Sequence, residues 1–247
     1  MGFFEALSFL TVIRTGSGKV YDDKDVVKWG RYFFLVGLLI GALAYGLDFL
    51  LMRKLSPLAE SVILVLFIAL ITGGLHLDGL CDTFDAAFSM KPVSEKLSIM
   101  KDSRVGAFGV IAIVFVILLK VVFLAEIIGA GQRGVILLFP AISRACMLLP
   151  SYLFSYPRES GKGAGFVNNM TINIVLVGLI PSAIILYLIM QAQGLLLLIA
   201  ALIFSVSLAF FFNKRFNGIT GDVLGCINEL SEVFVLFIAI LRPLHNL

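Results

Sequence analysis

The stretch from Gly163 to Asn213 reads GAGFVNNMTINIVLVGLIPSAIILYLIMQAQGLLLLIAALIFSVSLAFFFN and contains no charged residue. A membrane-spanning helix needs about 20 mostly apolar residues, so this stretch is long enough for two. The polar tetrapeptide Gln191-Ala-Gln-Gly194 divides it into two predicted spans, Ile172–Met190 and Leu195–Phe212. The stretch therefore predicts a protein whose main solvent is the lipid bilayer.

The rest of the chain has the same character. Apolar residues make up 60% of the 247 residues and charged residues 14%, against about 25% charged residues in soluble domains. This composition excludes disordered, nucleic-acid-binding and disulfide-stapled secreted proteins. It predicts an all-α, polytopic transmembrane helical bundle that forms one domain over residues 1–247. Five further predicted spans are Phe33–Leu51, Pro57–Leu77, Ala107–Ile128, Gly134–Phe154 and Val223–Leu241.

The total is about seven spans, with an additional N-terminal helix within residues 1–31 that either lies in the interface or enters the membrane part-way. Seven spans place alternate connections on opposite sides. Lys and Arg number 13 in the N-terminal segment and in the loops after spans two, four and six, against 4 in the other connections. Because positive loops stay in the cytoplasm, the sequence predicts a multi-pass protein of the cytoplasmic (inner) membrane with its longer loops inside the cell.

Three aspartates follow the second span in the segment Gly73-Gly-Leu-His-Leu-Asp-Gly-Leu-Cys-Asp-Thr-Phe-Asp85. At about 100° per residue, Asp78, Asp82 and Asp85 fall on one face of a helix, where their charges repel each other unless a cation lies among them. Mg²⁺ prefers oxygen ligands and links carboxylates to substrate phosphates. The segment predicts a metal or phosphate site. The alternative, a solvated acidic helix end, is less consistent with the apolar neighbours and the lack of a basic residue.

Basic residues precede the third span in a second polar segment, Ile99-Met-Lys-Asp-Ser-Arg-Val-Gly-Ala-Phe-Gly109. Lys101 and Arg104 suit phosphate recognition, and the start of a helix adds its positive dipole end. A positive anchor at the membrane surface would explain these two residues, but it would not explain Asp102 and the glycines. We therefore take Lys101, Asp102 and Arg104 as candidate catalytic residues.

The last span carries a third group of polar residues. Asp222 and Glu229 share one helix face, and a carboxylate inside a spanning helix costs about 3 kcal/mol, so both should face the interior and have a partner. A bound cation or Arg144 could supply that partner. The Gly-rich loop Tyr156–Gly165 is either a phosphate-binding lid or a plain connector. Three further basic residues are candidates for binding substrate phosphate: Arg144, Arg158 and Lys162.

Together, these acidic and basic groups at the cytoplasmic ends of several spans indicate metal-dependent phosphoryl-type transfer at the membrane surface. The three motifs also resemble those of the cobalamin synthases, the adenosylcobinamide-GDP ribazoletransferase family. The resemblance rests on Gly73–Asp85, Ile99–Gly109 and Thr220-Gly-Asp-Val-Leu-Gly225, and it extends over nearly the whole chain. The chain departs from the family at Val12-Ile-Arg-Thr15, where a proline is frequent, and at two cysteines that replace small residues, Cys81 and Cys226.

The resemblance implies an Mg²⁺-dependent membrane transferase that acts on adenosylcobinamide-GDP. The α-ribazole, or its 5′-phosphate, would attack the cobinamide-linked phosphoryl group, and GMP would leave. By motif, Asp78, Asp82 and Asp85 would hold Mg²⁺ on the diphosphate, and Lys101 and Arg104 would neutralise phosphate charge. Asp102 would complete the metal site or orient a base. Asp222 and Glu229 would hold a second metal or activate the ribazole hydroxyl. Expected partners are these substrates and lipid, with no nucleic acid; association with a second copy or with other cobalamin-assembly enzymes stays open.

Two other classes of protein fit part of the pattern. Mg-dependent CDP-alcohol and prenyl transferases of the membrane also place aspartates at cytoplasmic helix ends, but the CDP-alcohol motif needs Ala-Arg after Asp-Gly, which this chain lacks. An ion-coupled transporter would explain charged residues inside the spans, namely Lys120, Glu126 and Glu229. The chain shows no convincing internal repeat of the kind that many transporters have.

Overall fold

The computed structural model describes residues 2–15, 23–52, 54–158, 161 and 163–241, and these residues form helices and connecting loops without any strand. In chain order the helices are α1 Gly2–Leu10, α2 Asp23–Val26, a 3₁₀ helix Val27–Tyr32, α3 Phe33–Leu51, α4 Pro57–Ile71, α5 Leu75–Phe88, α6 Val93–Ile99, α7 Ala107–Gly129, α8 Val135–Ala145, α9 Leu148–Leu153, α10 Ala164–Asn168, α11 Ile172–Phe216 and α12 Gly221–Leu241.

The predicted all-α membrane fold is confirmed. Within the described residues, five helical segments are long and apolar enough to cross a membrane, and the bent pair α4–α5 makes a sixth candidate. The five segments are Val27–Leu51, Ala107–Gly129, Val135–Leu153, Ile172–Phe216 and Gly221–Leu241. The chain is thus a multi-pass membrane protein.

The longest helix, α11, is divided in the middle. Its 45 residues would measure about 68 Å if straight, roughly twice the thickness of a bilayer core. Gln191 has a non-helical backbone with φ 54° and ψ −143°, and Gly194 packs against the carbonyl oxygen of Leu186. The chain therefore turns back on itself at the predicted break. Counting the two halves separately is compatible with the predicted total of about seven spans, which stays a prediction.

The second predicted span, Pro57–Leu77, ends earlier than expected. α4 stops at Ile71, and the next helix is bent away from it by 89°. Gly73 and Gly74 have φ values of +61° and +68°, a conformation that favours glycine, so this pair makes the sharp turn possible. As a result α5 packs on α12 and α7 instead of continuing straight on from α4, and its three aspartates belong to the polar end of the bundle.

Close helix contact in the bundle centre depends on a Gly-x-x-x-Gly pattern in α3. Gly37 lies against the backbone of Pro140 and Ala141, and Gly41 lies against the backbone of Leu137. Small residues at this spacing let two helices approach closely in a membrane. The contact fixes α3 on α8, one of the most buried helices of the bundle.

The two ends of the bundle differ in the amount of polar structure. One end has short connections, where Arg133 forms ion pairs with the buried carboxylates of Asp48 and Glu60. The other end carries α1, α5, α6 and α10 and the first turns of α7 and α12. The backbone N–H of Val12 donates to Ile71 there, which fixes the segment after α1. With nine residues, α1 is too short to cross a membrane.

Candidate active site

The candidate site lies where α5 crosses the start of α12. Gly79 lies so close to α12 that a Cβ on it would be 2.7 Å from the carbonyl oxygen of Asp222. One turn away, a Cβ on Gly225 would be 3.3 Å from the Cα of His76. Because both helices present glycine at their crossing, the two backbones meet and the aspartates of α5 lie next to Asp222.

Three of the predicted acids share this crossing. Asp78 is exposed, while Asp82 and Asp222 are partly buried. Burial, followed by the charges of Asp78, Asp222 and Asp85, raises the pKa of Asp82 to about 7. This is the mutual repulsion that the sequence spacing predicted, and it indicates a place where a cation or a proton is needed to offset negative charge.

Asp85 has a structural partner that the sequence prediction did not include. Its two carboxylate oxygens accept hydrogen bonds from the backbone N–H groups of Gly106, at 2.7 Å, and Gly109, at 2.8 Å. A Cβ on either glycine would overlap this carboxylate. Asp85 therefore caps the start of α7, where unpaired N–H groups and the helix dipole favour a negative charge. Its predicted Mg²⁺ ligation would have to use the remaining lone pairs.

The predicted basic block before α7 is exposed. Arg104 donates from Nε and Nη2 to the carboxylate of Asp102, at distances of 2.6 to 3.1 Å. These bonds lower the pKa of Asp102 to about 2, so Asp102 is held as an anion beside Arg104. Lys101 is exposed. Within the described residues, no hydrogen bond or ion pair joins this block to Asp78 or Asp82.

Arg158 is the predicted loop residue that does lie close to the site. Its charge interacts with that of Asp222, and its Nη2 donates to the carbonyl oxygen of Leu97 at 2.8 Å. The Nε of Arg158 is buried without a hydrogen-bond partner among the described residues. Arg158 therefore has donor capacity left for an anionic ligand. Lys162, the other candidate of this loop, lies outside the described residues.

Glu229 and Arg144 lie elsewhere, in a buried ion cluster that also contains Lys120 and Glu232. Lys120 donates to both glutamates at 2.5 Å, and Arg144 donates to Glu232 at 3.0 Å. Two cations and two carboxylates balance inside the bundle, because an unpaired charge there would be costly. Glu229 therefore has a buried basic partner of the predicted kind, Lys120, while Arg144 bonds directly to Glu232. The structure brings neither Glu229 nor Arg144 to the aspartates.

Two cavities meet at Asp78, and their lining includes residues that the sequence reasoning left out. The larger, about 590 Å³, lies between the end of α1 and the α4–α5 turn. The smaller, about 180 Å³, lies between α5, α12 and α10. The polar residues of the larger cavity are Ser8, Thr11, Arg14, Thr72 and Asp78. In the sequence, Thr11 and Arg14 are polar residues that directly follow the apolar stretch of α1. That position is the only sequence signal that could have pointed to either residue.

The donor set suits a hard cation, although it is not a preformed cage. No three His, Cys, Asp or Glu side chains of the described residues are already grouped around one metal position. Mg²⁺ is usually held by one or two carboxylates together with water and substrate phosphates. Asp78 and Asp82, with Asp222 across the helix crossing, offer the oxygen atoms that such a partial site requires.

Comparison with known proteins gives a consistent picture. A family model described as cobalamin-5-phosphate synthase matches residues 2–240. A relative from Clostridioides difficile named adenosylcobinamide-GDP ribazoletransferase is 38% identical over 97% of both chains. Relatives of the same name from Clostridium acetobutylicum and Acetivibrio thermocellus are also 38% identical, over 96% and 87% of this chain and 96% and 88% of their own. No solved structure matches the chain significantly.

Proposed function

Because the chain belongs to the cobalamin-5-phosphate synthase family, we propose that it is an adenosylcobinamide-GDP ribazoletransferase. It transfers the adenosylcobinamide phosphoryl group of adenosylcobinamide-GDP to α-ribazole or α-ribazole 5′-phosphate and releases GMP. The observation that carries this proposal is the family match over residues 2–240 with relatives of that name at 38% identity. The meeting of Asp78, Asp82 and Asp222 at one helix crossing supports it.

The reaction forms one P–O bond and breaks another. A ribazole hydroxyl oxygen attacks the phosphorus bonded to the cobinamide side, and the bond from that phosphorus to the GMP oxygen breaks. Asp78 and Asp82 would hold Mg²⁺, which would supply charge neutralisation on the diphosphate. Asp222 accepts the proton of the attacking hydroxyl, and Arg158 donates hydrogen bonds to phosphate oxygens. Such transfer is catalysed mainly by positioning and by charge stabilisation.

Lys101 and Arg104 are proposed to bind the diphosphate when substrate arrives. Their side chains are exposed beside the start of α7, whose first turn Asp85 fixes to α5. Substrate phosphate would compete with Asp102 for the guanidinium of Arg104. Residues in this block thus lie on a surface that is anchored to the aspartate helix.

The proposed location is the cytoplasmic membrane, with the site facing the cytoplasm. Support comes from the excess of Lys and Arg in the segments predicted on that side and from the placement of α1, α5, α6 and α10 at one end of the bundle. Lipid is the surrounding solvent for the apolar spans. A homo-oligomer or a contact with other cobalamin-assembly enzymes is compatible with this arrangement.

The test uses purified protein in liposomes with adenosylcobinamide-GDP, α-ribazole and Mg²⁺, and it measures released GMP and cobalamin. We expect Asp82→Asn to lower the rate by about 10²-fold or more, the size typical of losing a charge-stabilising group. Glu95→Gln, which removes a surface carboxylate of α6, is the matched control and should keep the rate. If Asp82→Asn kept the wild-type rate at limiting Mg²⁺, the assignment of Asp82 as an Mg²⁺ ligand would be refuted.

No observation favours the other classes. The transporter hypothesis rested on charged residues within the spans, and two of them, Lys120 and Glu229, form the internal ion cluster with Glu232. The relatives from Clostridioides difficile and Clostridium acetobutylicum are both named adenosylcobinamide-GDP ribazoletransferase, and neither bears a CDP-alcohol or prenyl transferase name.

A further inference from the structure

The smaller cavity is too small for a whole substrate of the proposed reaction. Its volume is about 180 Å³, below the roughly 300–1,000 Å³ of sites for drug-sized ligands. The larger cavity, at about 590 Å³, falls within that range. Asp78 lines both cavities, and Asp222 lines only the smaller one. The two cavities are thus neighbouring compartments that share Asp78 in their lining.

Aromatic rings form one side of the smaller cavity. Phe33 and Phe166 stack with ring centroids 5.1 Å apart and an angle of 6° between their planes. Phe9 also stacks on Phe33, with ring centroids 6.2 Å apart and an angle of 16° between the planes. All three rings line the cavity, together with the apolar side chains of Leu75 and Met147. A small cavity lined by aromatic and apolar side chains suits an apolar aromatic ligand, which can pack against ring edges or in an offset arrangement.

One hydrogen-bond donor is fixed in this wall. The Nδ2 of Asn228 lies 3.4 Å from a carboxylate oxygen of Glu232 and 3.0 Å from Nδ1 of His76. A carboxylate only accepts, so the atom facing it must be the NH₂ group, whose second hydrogen then points to Nδ1. Neutral His76 therefore carries its proton on Nε2. Since His76 lines the cavity, Nε2–H is the donor that it can offer there.

We propose that this aromatic cavity, with His76 at its wall and Asp78 and Asp222 at its mouth, binds the heterocyclic base of the acceptor nucleoside. The inference rests on the proposed function and assigns a place to one of its substrates. The base of α-ribazole is a flat, apolar two-ring system with one ring nitrogen that accepts a hydrogen bond, and His76 is the positioning residue that donates it. The ribose hydroxyls then reach the two aspartates, and the diphosphate donor occupies the larger cavity beside Arg14.

The first experiment separates the two substrates. In the GMP-release assay, Phe166→Leu should raise the KM for α-ribazole about tenfold and leave the KM for adenosylcobinamide-GDP near the wild-type value. Phe154→Leu is the matched control: it removes a ring that pairs with Phe210 and lines neither cavity. Arg14→Gln should show the opposite pattern, with a raised KM for the diphosphate substrate only.

The second experiment measures binding without turnover, by calorimetry of the detergent-purified protein with benzimidazole riboside or with indole riboside, which lacks the acceptor nitrogen. The wild type should bind the benzimidazole nucleoside about tenfold more tightly. In His76→Phe this preference should vanish, a result that a purely structural role for His76 would not produce. Phe166→Leu covers the case in which His76→Phe does not fold.

The outcomes distinguish the two proposals. If the wild type releases GMP but Phe166→Leu matches Phe154→Leu in ribazole KM and in nucleoside affinity, the base site is refuted and the function stands. If the wild type releases no GMP, the function fails; nucleoside binding that depends on Phe166 would still support the site, and equal binding by both phenylalanine variants would refute it.

Discussion

Replacing Gly79 by alanine tests whether the contact between α5 and α12 builds the active site. The added Cβ would lie 2.7 Å from the carbonyl oxygen and 3.0 Å from the Cα of Asp222. Both are backbone atoms, so no flexible side chain can move aside. Ordinary contact begins at 3.4 Å, and the two helices must therefore separate locally by about 0.7 Å in the variant.

The expected effect is larger on activity than on stability. A misplacement of about 1 Å at a reacting centre can lower a rate about 10²-fold, so we expect kcat/KM for Gly79→Ala to fall between about 10-fold and 100-fold. Overpacking costs about 1–3 kcal/mol, whereas alanine gains about 1 kcal/mol over glycine in a helix. The net change in unfolding free energy should stay within about 2 kcal/mol, and the protein should remain folded.

The measurement is GMP release by wild type and variant in the same liposomes, with thermal unfolding of each. Gly46→Ala is the matched control, because Gly46 lies in α3 with no atom within 4 Å of its added Cβ. It should keep the full rate and gain slightly in stability. If Gly79→Ala is as active as Gly46→Ala, the close helix crossing does not position the reacting groups and the assignment of Asp222 to the site is refuted.

Three further predictions concern the bundle and the metal. Lys120→Ala should destabilise the protein by about 3–5 kcal/mol, because it leaves Glu229 and Glu232 short of a buried cation; an unchanged melting temperature would contradict the ion cluster. Gly41→Ala should lower the melting temperature through an overpacking cost of about 1–3 kcal/mol, since its Cβ would overlap the α8 backbone; a neutral result would show that α3 and α8 are farther apart. Mg²⁺ should raise the melting temperature more at pH 8 than at pH 5.5, because Asp82, with a pKa of about 7, must lose its proton to bind metal; equal shifts at both pH values would argue against Asp82 as a ligand.

The features that the sequence predicts best are those set by local pattern. Hydrophobic length gave the spans of α3, α7 and α12 within a few residues, and the polar tetrapeptide beginning at Gln191 marked the break in α11. Helical spacing correctly placed Asp78 and Asp82 on one helix, because a period of 3.6 residues depends only on local geometry.

Features that depend on contacts between distant segments cannot be predicted from the local sequence pattern. The chain bends by 89° at Gly73 and Gly74. A hydropathy pattern does not show this bend, so it predicts a second span that continues to Leu77. Spacing predicts Asp85 as a metal ligand, but it cannot reveal that the backbone N–H groups of Gly106 and Gly109 donate to its carboxylate. Lys120 was not paired with Glu229 because more than 100 residues separate them in sequence.

The buried ion cluster also constrains how the protein is made. Lys120 enters the bilayer with α7, while the glutamates that neutralise it arrive with α12, the last helix of the described chain. During synthesis Lys120 lacks its carboxylate partners until the ribosome has added over a hundred further residues. Until then it must stay in the translocation channel or pack among the earlier helices. A chain cut short before Glu229 would carry an orphan ammonium group in lipid, so we expect membrane quality-control proteases to remove truncated copies quickly and spare complete ones.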